Sequence, residues 1–379
     1  MKKIYWRPHG TPLLAIILVA VFAVGGDLAV ERFQITERSP YYAAQLEASH
    51  LALQAMTVIK EERLKKGDPL EPQVDPAQSG LIGSFISPVT SSSGNLEAKQ
   101  TSINPNFAAV IVDLLEQAGV RQGDQVAVSV TGSFPAMNIA LYAALKALHL
   151  KPTIISSVAS SQWGANDPDF LWIDMEHHLY NQDLFPFRSV AASIGGRYDK
   201  GKEMSEAARQ SIIQAIEKNG LARITDTTLH ENVDQRMSLY FKEGRPKAYI
   251  NVGGGIAAVG AERRRRGLIK SGLTPSQDHL IKNGKFVVSR FLQEDTPVIH
   301  LENIKQLAAQ YGLPTAPDRL PEVGKGGVYS RTRYNKWLAG AVLTGIFGGL
   351  YFFSRTDLGF RMLTVSYRRK GSAPPEPMV

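Results

Sequence analysis

Residues Val128–Leu141 read VSVTGSFPAMNIAL. A β-branched run ends in Thr-Gly-Ser, and Pro135 opens an apolar helical pattern. Proline suits a first helical turn because the N–H it lacks would go unbonded there. Strand, small-residue corner and helix in that order make one βα unit. In an open α/β sheet, ligands bind beyond the carboxyl ends of the strands. The corner Thr131–Ser133 is therefore a fold signal and a candidate site at once.

The same alternation continues on both sides. Upstream, Asn104-Pro105 starts an apolar helix that Gly119 closes. QVAVSVT is a strand, and FPAMNIALYAALKALHL is the helix after it. PTIISSV, SVAASIGG and KAYINVGGG read as further strands. DFLWIDMEHHLYNQ, capped by Asp167-Pro168, and SEAARQSIIQAIEKNG read as helices. Strands alternating with helices of this length predict an α/β fold with a doubly wound, mostly parallel sheet. The two strand-to-glycine corners, at Thr131 and Gly253, suggest two lobes.

The ends have a different character. TPLLAIILVAVFAVGG (Thr11–Gly26) and WLAGAVLTGIFGGLYFF (Trp337–Phe353) are apolar runs near the lower length for a membrane span, about 17 residues. A cleaved signal peptide is the alternative for the first and a core helix for the second. No small-x-small cleavage site directly follows the first, so an uncleaved anchor is expected. Lys2, Lys3 and Arg7 precede the first span, and Arg355, Arg361, Arg368, Arg369 and Lys370 follow the second. The excess of cations at both termini puts both termini in the cytoplasm. The expected domains are a tail (1–10), an anchor (11–31), a helical stalk and linker (32–80), an extracytoplasmic α/β domain (81–330), a second transmembrane helix (337–353) and a basic tail (354–379).

Composition narrows the chemistry. The chain has no cysteine, which removes disulfides, thiolate metal sites and a cysteine nucleophile. Its formal charge of +8 favours anionic partners. TGSFPAMN has neither a Walker lysine nor a dinucleotide fingerprint, and no hydrolase nucleophile elbow. A helix N-terminus next to Gly132 and Ser133, with Asn138 one turn on, suits a carboxylate better than a phosphate; Ser133 as a plain helix cap is the alternative. Gly253, Gly254 and Gly255 offer a second close-approach corner. SPVTSSSGNLEAKQTSINPNF (Ser87–Phe107) reads as a polar loop. Its lysine beside serines could serve as a base, with Lys99 activating Ser133 or a serine among Ser91, Ser92 and Ser93; a solvated loop is the alternative. Glu97 joins Lys99 as a substrate-binding candidate. Asp174 is a partly buried candidate in WIDMEHH, whose histidines lack the full spacing of a zinc motif. The cation run ERRRRG (Glu262–Gly267) could hold an acidic polymer or lipid headgroups. No metal, cofactor or nucleic acid is expected.

Four stretches in this order, SSSGNLEAKQTSINPNFAAVIVDLL, VTGSFPAMNIAL, WGANDPDFLWIDMEHHL and NVGGGIAAVG, resemble the poly-gamma-glutamate system protein family. The resemblance runs from about Leu81 to Gly260 between two terminal apolar segments. It implies a cell-envelope membrane component of poly-gamma-glutamate (capsule) biosynthesis, partnered by poly-gamma-glutamate or glutamate and by synthase membrane subunits. Two functions follow as expectations: an accessory subunit that binds the anionic polymer, or an envelope hydrolase or transferase of the γ-amide bond using serine and lysine. A nucleotide-using enzyme would require the inverted topology.

Overall fold

Strand β3 (Gln125–Thr131) lies at the middle of the sheet that organises the chain. The computed structural model describes residues 13–67, 69–225, 228–260, 269–275 and 284–355. These fall into two compact units, one of Ser39–Tyr329 and one formed by the two ends.

In the larger unit, β4 (Lys151–Ser157), β6 (Ala191–Ser193) and β7 (Ala222–Arg223) extend from β3 in one direction. The chain then returns to β3's other side as β8 (Tyr249–Val252), followed outward by β10 (Val298–Leu301) and β9 (Gly272–Thr274). All pairings are parallel except β9 against β10. The α/β architecture with a mostly parallel sheet is therefore present. β3 and β8 are direct neighbours, with Ala127 opposite Tyr249 and Ser129 opposite Asn251. The two glycine corners are adjacent in one sheet, not parts of two lobes, because the connection from β7 crosses back over the sheet.

Alternating side chains on the strands feed two cores. Val126, Val128 and Val130 face α2 (Tyr42–Lys65), α4 (Phe107–Gln117) and α5 (Pro135–Ala147). Ala127, Ile155, Tyr249 and Val298 face α8 (Leu229–Tyr240), α9 (Ile256–Val259) and α10 (Val287–Gln293). Helix α5 is buried nearly all round, as its apolar sequence requires. The expected stalk helix is α2, and it is part of this core. Its Ala48, Ala52, Ala55, Met56 and Ile59 are fully buried, and the alanines let it approach closely. Arg63 of α2 donates to the carbonyls of Gly80 at 3.3 Å and Ile82 at 2.6 Å, tying down the end of the segment expected as a linker.

Helices α4 and α6 (Trp172–Asn181) both start later than their proline signals. Asn104 Oδ1 accepts the Asn106 N–H and Asp167 Oδ1 accepts the Asp169 N–H, each at 3.0 Å. Each Asx-Pro pair thus makes a turn ahead of the helix. Helix α7 (Glu206–Lys218) begins where expected, capped by Ser205.

The terminal unit holds α1 (Leu13–Arg32), β1 (Ile35–Arg38), β11 (Ser330–Arg333) and α12 (Lys336–Arg355). The strands pair antiparallel. The helices pack through glycines: a Cβ on Gly26 would stand 2.4 Å from Val342, and one on Gly345 2.8 Å from Phe22. Among the described residues, one helical stretch, Lys336–Phe353, is long and apolar enough to cross a membrane. The leading cations, most of the trailing ones and the ERRRRG run lie outside the described residues.

Candidate functional site

The carboxyl edge of the sheet opens into a cavity of about 560 Å³ beside the β3–β8 junction. The Thr131–Phe134 corner and Gly254–Ile256 both line it. Ser91–Asn95, Gly195–Arg197 and Glu302–Lys305 complete the wall. The two glycine corners therefore border one cavity.

The stretch expected as a polar loop contributes structure here. Thr90–Ser92 forms β2, which pairs in parallel with β5 (Ser160–Ser161), setting Ser92 opposite Ser161. Leu96–Ser102 forms α3, whose cap Asn95 accepts the Ala98 N–H at 2.8 Å. Lys99 lies on the buried face of α3 and is only 2% exposed. Its Nζ donates to the Ser133 carbonyl, lies 2.9 Å from Ser161 Oγ and sits 4.1 Å from the centre of the Phe134 ring. It makes no ion pair among the described residues. Burial without a carboxylate disfavours the ammonium form and lowers the Lys99 pKa from 10.5 to about 7. Near neutrality a large share of Lys99 is thus a free amine, in hydrogen-bond reach of a serine hydroxyl that lines the cavity.

The serine partner differs from the expected one. Ser133 Oγ accepts the Ser161 backbone N–H at 3.0 Å, so this hydroxyl orients the loop, while its carbonyl holds Lys99. Nor is Ser133 the helix cap; Phe134 is, with no side-chain bond to the first turn. Ser93 is exposed on the cavity wall, but it is not bonded to Lys99. The signal for Ser161 was its place just beyond the carboxyl end of β4, in the run SSVASS.

The other candidates sort by position. Gly254 and Gly255 line the cavity. Gly132 is small for the protein's own sake: a Cβ there would stand 2.5 Å from the Val158 carbonyl oxygen. Gly253, at φ +84°, similarly abuts the Thr131 hydroxyl. Asn138 is buried and donates to the Thr131 carbonyl at 2.9 Å, bracing the β3–α5 corner. Glu97 is exposed and paired with Lys305. Asp174 does not line the cavity; it accepts from the Leu171 N–H, Lys218 and Asn219 at the start of α6. His177 meets Arg188, and His178 is 3.9 Å from Glu62. Helix α9 has four residues, too short to give the second corner an appreciable dipole.

A buried ion pair forms part of the opposite wall. Arg236 Nη2 donates to Asp199 Oδ2 at 2.9 Å, to Ser193 at 2.7 Å and to Ser157 at 3.2 Å. It thereby joins the ends of β4 and β6 to the loop after Gly196. In that loop Tyr198 and Asp199 hold φ of 58° and 62°. Two successive non-glycine residues in the left-handed region are strained, and the Arg236 pair holds the second of them. Arg197, also on the wall, stacks on Tyr198 and has no carboxylate on its guanidinium among the described residues.

No protein-family model, no curated protein and no solved structure matches the chain.

Proposed function

We propose that the larger unit is an acyl-transfer enzyme, with Ser161 as nucleophile and Lys99 as general base. The observation that carries this is the buried, carboxylate-free Lys99 amine 2.9 Å from Ser161 Oγ in a ligand-sized cavity. The neutral amine takes the Ser161 proton as Oγ attacks a carbonyl carbon. The resulting ammonium returns the proton to the leaving amine as the tetrahedral adduct collapses. Water or a second amine then releases the acyl group, with Lys99 acting as base again. This is the serine–lysine version of triad chemistry, recognised by geometry and not by chain order.

The substrate reading is an amide in a carboxylate-rich chain. Arg197 and Lys305 supply cations at the cavity wall, although Glu97 offsets Lys305. Together with the resemblance drawn from the sequence, this points to the γ-amide of poly-gamma-glutamate, cleaved or transferred at the bacterial envelope. In this reading the sheet is doubly wound, and α1 and α12 anchor an extracytoplasmic domain in the cell membrane beside synthase subunits. Helix α12 supports the anchor by its length and apolarity.

The second reading is an accessory subunit that binds the polymer or glutamate without reaction. Arg197, a cation without a carboxylate partner on the cavity wall, favours it. The discriminating experiment follows the chain length of poly-gamma-glutamate, with and without added amine acceptor, using full-length protein in detergent micelles. Loss of turnover in both Ser161→Ala and Lys99→Ala, with polymer binding retained, supports the enzyme. Binding by the wild type with no change in chain length leaves the accessory reading and ends the catalytic one.

A further inference from the structure

A second cavity, also about 560 Å³, lies behind the Gly195–Lys202 loop, and Asp199 lines both. That volume is within the range of small-molecule sites. Its walls carry Lys200, Lys202, Arg209 and Arg223. Two carboxylates face it, and each has its own cation: Glu206 holds Arg209, and Asp199 holds Arg236. Lys202 meets only the Tyr198 ring, and Arg223 makes no ion pair among the described residues. Among the described residues, neither of these two cations has a carboxylate partner. Ile194, Ile213 and Ile224 give the cavity an apolar part.

A buried polar atom adds an independent sign. Asn232 lines this cavity and is 1% exposed. Its Nδ2 donates to Asp199 Oδ2 at 3.3 Å, which fixes which way the amide faces. Its Oδ1 then has no partner among the described residues. A buried acceptor without a donor has given up its water and gained nothing in return. A ligand that brings a donor relieves that cost.

From these we infer that the second cavity binds a small organic anion, with a phosphate or carboxylate group between Lys202 and Arg223 and a hydrogen-bond donor on Asn232 Oδ1. The inference does not rest on the acyl-transfer reading, since none of Ser161, Lys99 or Ser133 lines this cavity.

Calorimetry with full-length protein in detergent micelles tests it. Pyrophosphate and citrate serve as probes, so the two arms also separate a phosphate ligand from a carboxylate one. The expected result is saturable binding of at least one probe. It should weaken at least tenfold in the Lys202→Glu, Arg223→Glu double variant and stay unchanged in Lys305→Ala, a cation that lines the first cavity and not the second. Both altered lysine and arginine side chains are exposed, so the double variant should fold, as an unchanged thermal midpoint would confirm. Binding insensitive to the double variant, binding lost equally in Lys305→Ala, or no saturable binding of either probe would each overturn the inference.

Discussion

Replacing Lys99 by methionine should inactivate the protein at little or no cost in stability at neutral pH. The amine's ordinary pKa of 10.5 falls to about 7 in the folded chain. That difference of about 3.5, at 1.36 kcal/mol per pH unit, means that burying Lys99 costs about 5 kcal/mol at neutral pH. Methionine fills similar volume without the charge. It leaves the Ser133 carbonyl and the Ser161 hydroxyl short of a partner, which costs about 1–3 kcal/mol each. The expected net change at pH 7 therefore runs from a loss of about 1 kcal/mol to a gain of about 3 kcal/mol, while turnover falls about 10²–10⁴-fold through loss of the base. The pH dependence separates this from a generic packing effect. Between about pH 7 and 10.5 the unfolded chain keeps the Lys99 proton and the folded chain does not. Wild-type stability therefore gains up to 1.36 kcal/mol per unit as pH rises, and the variant lacks that gain. By pH 10 the variant's advantage should shrink by about 4 kcal/mol and reverse. Urea unfolding in micelles, followed by tryptophan fluorescence from pH 6 to 10, measures both curves. A stability difference that stays flat across this range would refute the argument that Lys99 is buried as a neutral amine.

Activity against pH should rise along a limb centred near pH 7, the Lys99 value, when kcat/KM is measured on an amide substrate; a flat profile from pH 5 to 8 would remove Lys99 as base. Ser161→Ala should abolish turnover, while Ser93→Ala should leave it within about twofold; the reverse ranking, read from initial rates, would restore the exposed serine as nucleophile. Arg236→Met strands Asp199 in the interior and should cost about 3–5 kcal/mol in urea unfolding. Adding Asp199→Asn should return part of it, and a double variant no better than the single would argue against the pair. Gly132→Ala should destabilise by about 1–3 kcal/mol, because the new methyl meets backbone at Val158; a neutral effect would show that the corner can open. A cysteine in place of the exposed Gln214 of α7 gives a single label site in a chain without cysteine. Impermeant maleimide should mark it on intact cells, whereas labelling only after lysis would invert the topology.

Much of the sheet was legible because its strands are β-branched runs that end in small residues, as in QVAVSVT and KAYINVGGG. The order of those strands was not. That β3 and β8 are neighbours depends on a crossover whose direction no local pattern records, so two adjacent corners read as two lobes. Lys99 was legible as a chemical candidate, but α3 was not. Its Glu97, Lys99 and Thr101 break the apolar period, since this helix buries a lysine where a hydrophobe would ordinarily lie. Ser161 was hidden for the opposite reason: no helix follows it to mark a corner. Asp199 and Arg236 stand far apart in the chain, and only folding makes them a pair.

Lys99 and Ser161 are 62 residues apart, and the proposed base precedes the proposed nucleophile. β2 and β5 bring the two arms together in a sheet separate from the seven-stranded one. During synthesis the lysine emerges first and has nothing to activate until β5 is made. Until the small sheet closes, the lysine is an ordinary solvated cation and the serine an ordinary alcohol. Reactivity is then a property of the finished chain alone. A nascent or partly unfolded copy carries neither half in usable form.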